Sequence, residues 1–83
     1  MKLLYFAWIR ERIGLEEEDI SVPDDVVTVA DLVTWLGSRG ERYAYALSEP
    51  RAIRVAVDQV HAKPTTALGD AREVALFPPM TGG

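Results

Sequence analysis

One segment of this chain carries a clear helical period, and the rest must be arranged around it. Val29, Leu32, Val33 and Leu36 fall at i, i+3, i+4 and i+7, which is a single apolar stripe. Thr28 precedes the stripe as a capping residue, and Asp31 three positions later makes the acidic variant of a capping box. Gly37 and Gly40 supply stops. The spacing therefore predicts a helix over 28–37. A chain of 83 residues has room for one core, and a lone amphipathic stripe needs an apolar sheet face to bury it.

The flanking segments supply that sheet. Lys2 to Trp8 is apolar on both alternating faces and reads as a central strand. The longest apolar run, Leu3 to Ile9, falls far short of the roughly 18 residues a membrane-spanning helix needs. Arg10-Glu11-Arg12 stands where a signal peptide would have small cleavage-site residues. The expectation is a cytoplasmic protein with no membrane contact. Gly14 marks a turn, and Glu16 to Val22 reads as a hairpin partner broken by Pro23-Asp24-Asp25. After the helix, Tyr43 to Leu47 reads as a short helical turn ended by Ser48-Glu49-Pro50. Ile53, Val55 and Val57 alternate with Arg54 and Ala56 as a third strand that stops at Asp58-Gln59. Val60-His61 begins a short fourth strand cut off by Pro64. Glu73 to Phe77 is the last strand, and Pro78-Pro79 ends it because proline has no N–H for the ladder.

The order of elements predicts an α+β fold of the β-grasp, or ubiquitin-like, type. It is a mixed sheet of four or five strands on one main helix, with the first and last strands at the centre. A ferredoxin-like sandwich would need a second full helix. Residues 1–79 are expected to form the β-grasp domain, and residues 80–83 a flexible tail.

Composition narrows the chemistry. The chain has no cysteine, which excludes disulfides, thiolate metal sites and sulfur carried on a cysteine. Nine basic and thirteen acidic residues give a net charge of −4, whereas nucleic-acid binders carry a basic surplus. The acidity is concentrated before residue 50, and residues 51–83 balance at +1. Glu16 to Asp19 lacks the spacing of a calcium loop and reads as a solvated strand edge. His61 is the only histidine, so it makes neither a metal cluster nor a catalytic triad and reads as a surface or strand-edge residue. No phosphate-binding glycine loop is present.

The remaining feature is the segment Phe77-Pro78-Pro79-Met80-Thr81-Gly82-Gly83. Two prolines favour a stiff, extended exit from the last strand, and two glycines follow with no side chains at all. Six residues from Pro78 reach at most about 20 Å. Such a tail can thread a narrow channel and deliver a Gly83 carboxylate to another protein's active site, since glycine permits close backbone approach. Adenylation by an ATP-dependent partner would activate that carboxylate, and sulfide would convert it to a thiocarboxylate. The competing reading is a frayed terminus.

These residues resemble a known family, the MoaD-type small subunit of molybdopterin synthase, within the ubiquitin-like sulfur carriers. Phe6-Ala7-Trp8-Ile9-Arg10-Glu11-Arg12-Ile13-Gly14 is similar to the family's opening, and Thr28-Val29-Ala30-Asp31-Leu32 to its helix start. Ala56-Val57-Asp58-Gln59 resembles its Val-Asn-Gln segment, with Asp58 in place of the usual Asn. Glu73 to Gly83 is close to its signature ending, although Ala71-Arg72 replaces the usual Gly-Asp before it. The resemblance implies that an E1-like enzyme adenylates Gly83, which then becomes a thiocarboxylate. The tail would enter the large, MoaE-type subunit and pass sulfur to cyclic pyranopterin monophosphate, forming the molybdopterin dithiolene. No cofactor would be bound tightly, and ATP would be used by the activating partner. Catalytic side chains would belong to the partners. A carrier for thiamine or tRNA thiolation, a ubiquitin-like protein modifier, and an inert β-grasp interaction module are the alternatives.

Docking residues follow from strand alternation. If Val74 and Leu76 meet the helix, Ala75 and Phe77 lie on the open face. Phe77 then serves as an anchor beside Pro78, Pro79 and Met80, with His61 as its neighbour and Thr81 and Gly82 leading to Gly83. The alternative is that Phe77 folds under a loop as core.

Overall fold

The computed structural model describes residues 1–79. Its chain order is β1 (Lys2–Tyr5), α1 (Ala7–Ile13), β2 (Glu17–Asp19), α2 (Val29–Gly37), α3 (Glu41–Ala46), a 3₁₀ turn (Pro50–Ala52), β3 (Arg54–Val57), β4 (Val60–Ala62) and β5 (Glu73–Phe77). The strands form one mixed sheet in the order β2-β1-β5-β3-β4. β1 and β5 run parallel, and the other neighbours are antiparallel. The two most apolar strands therefore lie side by side, with β5 at the centre.

α2 forms as its sequence requires. The Thr28 hydroxyl accepts from the Asp31 N–H at 3.2 Å, and the Asp31 carboxylate accepts from the Thr28 and Val27 N–H groups at 3.1 Å each. Those backbone donors hold the Asp31 carboxyl below its usual range. Val29, Leu32 and Leu36 are buried and Val33 is half-buried, packed against Leu3, Tyr5, Val55, Val74 and Leu76 in one core. Leu3, Tyr5, Val74 and Leu76 share the sheet face toward the helix, as alternation requires.

The opening strand is shorter than its apolar run suggests. It stops at Tyr5, and Ala7 to Ile13 turns into helix α1. Ile9 and Ile13, four residues apart, bury one face of that helix. Gly14 closes it at φ 88°, with its N–H on the Arg10 carbonyl at 2.8 Å. A Cβ at Gly14 would lie 2.7 Å from a guanidinium nitrogen of Arg42. The switch from strand to helix is made at Ala7, whose φ is +52°.

Glu18 is not a solvated edge residue. Its carboxylate accepts from the Tyr5 hydroxyl at 2.6 Å, the Tyr43 hydroxyl at 2.7 Å and the Arg39 guanidinium at 3.0 Å. This hub ties β2 to β1 and to the α2–α3 region. Burial pushes the Glu18 carboxyl up, but three charge-assisted hydrogen bonds outweigh it, and the net displacement is downward. Burial and the adjacent carboxylate push both tyrosines up. The other acids of the stretch are exposed, with Glu17 on Lys2 and Asp19 on the Met1 amino group.

β3 and β4 are joined by a two-residue turn, Asp58-Gln59, with φ of +47° and +70°. Positive φ at both positions is the hairpin geometry that matches strand twist. The Asp58 carboxylate accepts from the Arg72 and Glu73 N–H groups at 3.0 Å each, fixing the turn to the start of β5. An aspartate thus serves this junction and holds Arg72 and Glu73, while the Ala71 N–H donates to the Leu68 carbonyl.

Candidate functional site

The face of the sheet away from the helices is built from residues that alternation leaves over. Leu4 pairs with Ala75, Ala75 with Ala56, and Ala56 with His61, so one row crosses β1, β5, β3 and β4. Two alanines at its centre keep the surface shallow. Larger groups stand at the end where β5 finishes. Phe77 pairs with Arg54, and its ring meets the His61 ring edge to face at 5.5 Å. Phe77 is half-buried and stands outside the set of buried core residues. Pro78 and Pro79 follow directly and are half-buried as well.

Phe6 belongs to this face too. It keeps an extended backbone after Tyr5, its N–H donates to the Leu76 carbonyl at 3.1 Å, and its side chain is 45% exposed. Alternation puts it on the side of Leu4, beside the end of β5. The reading of Lys2 to Trp8 as one strand concealed it. The cue was in the sequence, because Leu4 and Phe6 are two residues apart and Ile9, Ile13 and Gly14 already announce a helix.

Of the expected site residues, the structure brings Phe77, Pro78, Pro79 and His61 to one end of the open face. Met80, Thr81, Gly82 and Gly83 lie outside the described residues. The face is a largely apolar surface with exposed Lys2 and Arg54 at its border. Among the described residues, no three histidine or acidic side chains gather to hold a metal ion. No helix among them is long and apolar enough to cross a membrane. What this surface offers chemically is contact area beside the point where the chain leaves the last strand.

Comparison with known proteins places this geometry in a family. The sequence profile of the ThiS family matches residues 3–83. The chain is 35% identical to the molybdopterin synthase sulfur carrier subunit of Escherichia coli, over 100% of this chain and 99% of that protein. Its fold is similar to that of a Pyrococcus furiosus protein provisionally named molybdopterin converting factor, subunit 1. The TM-score is 0.76 and the identity 26%, covering 95% of each chain. SAMP1 of Haloferax volcanii, a small archaeal modifier protein, gives a TM-score of 0.73 at 27% identity, covering 100% of this chain and 98% of the other. Profile, full-length identity and fold agree on one conclusion: the chain is a ubiquitin-like β-grasp protein and belongs to the ThiS family.

Proposed function

We propose that this protein is the sulfur-carrying small subunit of a molybdopterin synthase. The observation that carries the reading is the full-length match to a molybdopterin synthase sulfur carrier subunit. It is supported by the Phe77-Pro78-Pro79 exit at the edge of an apolar face. In this reading Gly83 is the C-terminal residue and its carboxylate is the reacting group. The carboxylate attacks the α-phosphorus of ATP on an E1-like enzyme, forming an acyl adenylate and releasing pyrophosphate. Sulfide then displaces AMP and leaves a thiocarboxylate. Thr81, Gly82 and Gly83 enter the large subunit, and the sulfur passes to cyclic pyranopterin monophosphate, two charged carriers completing one dithiolene. Phe6, Phe77 and His61 dock on the partner, and the tail reaches past them. The cycle runs in the cytoplasm, and ATP is bound by the activating partner alone.

The likeness to a small archaeal modifier favours one second reading, in which the same acyl adenylate is transferred to lysine amines of other proteins. A reconstituted reaction tests both. With the activating enzyme, ATP, a sulfur source, the large subunit and cyclic pyranopterin monophosphate, the full chain should yield molybdopterin, and a chain lacking Gly83 should yield none. Product from the truncated chain would refute the carrier role. Isopeptide conjugates without molybdopterin would establish the modifier instead.

A further inference from the structure

The chain builds the same side-chain stack twice. Just past the end of α2, the Arg39 guanidinium lies between the rings of Trp35 and Tyr43, 5.3 and 5.1 Å from their centroids. On α1, the Arg12 guanidinium lies between the rings of Trp8 and Tyr45, 4.5 and 4.4 Å from theirs. In each stack a tryptophan precedes the arginine by one helical turn, and α3 contributes the tyrosine. Among the described residues no other arginine or lysine is stacked on a ring. The two stacks differ in what meets the edge of the guanidinium. Arg39 donates to the Glu18 carboxylate at 3.0 Å. Arg12 forms no ion pair among the described residues. None of their side-chain nitrogens is buried without a partner, so the N–H edge of Arg12 faces solvent. Its stack is also the more open one, with Tyr45 59% exposed where Tyr43 is half-buried.

We infer that the Trp8–Arg12–Tyr45 stack receives a glutamate or aspartate side chain of a protein partner, as Arg39 receives Glu18 within the chain. Stacking on both faces leaves a guanidinium its in-plane N–H edge, which fits a carboxylate through two parallel hydrogen bonds. The rings hold that fork in place before a partner arrives, so little side-chain freedom remains to be lost on binding. Tryptophan, tyrosine and arginine are also the residues that dominate binding energy at protein interfaces. Arg10 and Arg42 are exposed and unpaired among the described residues as well, but they lie over no ring. The stack, rather than charge alone, therefore selects Arg12. It stands where α1 meets α3 in the helical layer, whereas Phe77 and His61 meet on the open face of the sheet. This contact is thus additional to the docking proposed for Phe77.

The test uses the full chain, isotope-labelled, and the peptide acetyl-Gly-Leu-Glu-Leu-Gly-amide. A twin peptide carries glutamine in place of the glutamate. The inference predicts saturable shifts of the Trp8 indole N–H and the Arg12 Nε–H with the glutamate peptide. The twin should bind about tenfold more weakly, the difference between a charged and a neutral acceptor. Arg39, already engaged by Glu18, should not shift. Arg12→Lys keeps the charge but loses the fork, and should weaken the glutamate peptide to the level of the twin while resonances away from the stack stay in place. Equal binding of the two peptides by the native chain would overturn the inference, as would unchanged affinity in Arg12→Lys or no shifts at all. Shifts at Arg10 or Arg39 equal to those at Arg12 would show unselective ion pairing and overturn it. Sodium acetate binding as tightly as the peptide would mark a site for a small anion and overturn it equally.

Discussion

Glu18 shows how much one side chain decides in a chain this small. Tyr5 is fully buried, and its hydroxyl has the Glu18 carboxylate as its acceptor. Glu18→Ala strands that hydroxyl, which costs about 1–3 kcal/mol. Adding Tyr5→Phe removes the stranded group, so the double variant should lose less than the sum of the two single ones, as chemical denaturation would show. The pH dependence follows from the shifts. The folded Glu18 pKa lies below its ordinary value of 4.5, so its contribution is whole above that pH and is lost as the pH falls through the lower, folded value. The tyrosines are raised, so theirs is whole below about 10 and is lost above it. Thermal melts between pH 3 and 6, expected from the ordinary carboxylate range, should fall more steeply with acid in the native protein than in Glu18→Gln. Parallel curves would remove Glu18 from the account. Phe77 is the residue for which the proposed function predicts a docking role. Phe77→Ala should weaken binding to the large subunit by roughly 2 kcal/mol or more with little change in melting temperature. A core phenylalanine would instead cost about 3–5 kcal/mol of stability, and a large drop in melting temperature with unchanged affinity would contradict the docking role.

At the scale of elements, α2 could be read directly, because stripe, cap and capping acid are all local. α1 could not, because Leu3 to Ile9 is apolar without a break and the strand signal runs straight through the point where the chain turns. The turn is made by Ala7 at φ +52°, a conformation that costs an L-residue about 1–2 kcal/mol. Ala7→Gly should therefore leave the fold intact and raise the unfolding free energy by about 0.5–1 kcal/mol, while Ala7→Val should lower it. A stabilising valine would show that the junction is not strained. Asp58-Gln59 likewise lacks the glycine that announces a two-residue hairpin, so the sequence shows a strand end where the structure has a tight turn. The Glu18 hub was hidden for another reason. Its partners Arg39 and Tyr43 lie 21 and 25 residues away, and no local pattern connects them. On the open face, the side of Phe77 followed from alternation and its contact with His61 from the pairing of the short fourth strand, whereas Phe6 was masked by the overlong strand.

The whole molecule is a small sheet with two differently finished faces. One is filled by helices and carries the stability. The other presents Leu4, Phe6, Ala75 and Phe77 beside the exit of the last strand. Such a division suits a protein whose chemistry lies beyond its own core. Gly82→Ala should then fold normally yet be activated far more slowly, since a channel fitted to bare backbone has no room for a methyl group; adenylation kinetics equal to those of the native chain would rule that channel out. The most direct measurement of the central claim is the intact mass of the purified protein after incubation with ATP, the E1-like enzyme and a sulfur source. The account predicts a gain equal to the difference between one sulfur and one oxygen atom, located by fragmentation on Gly83. An unchanged mass, or a gain on any other residue, would contradict it.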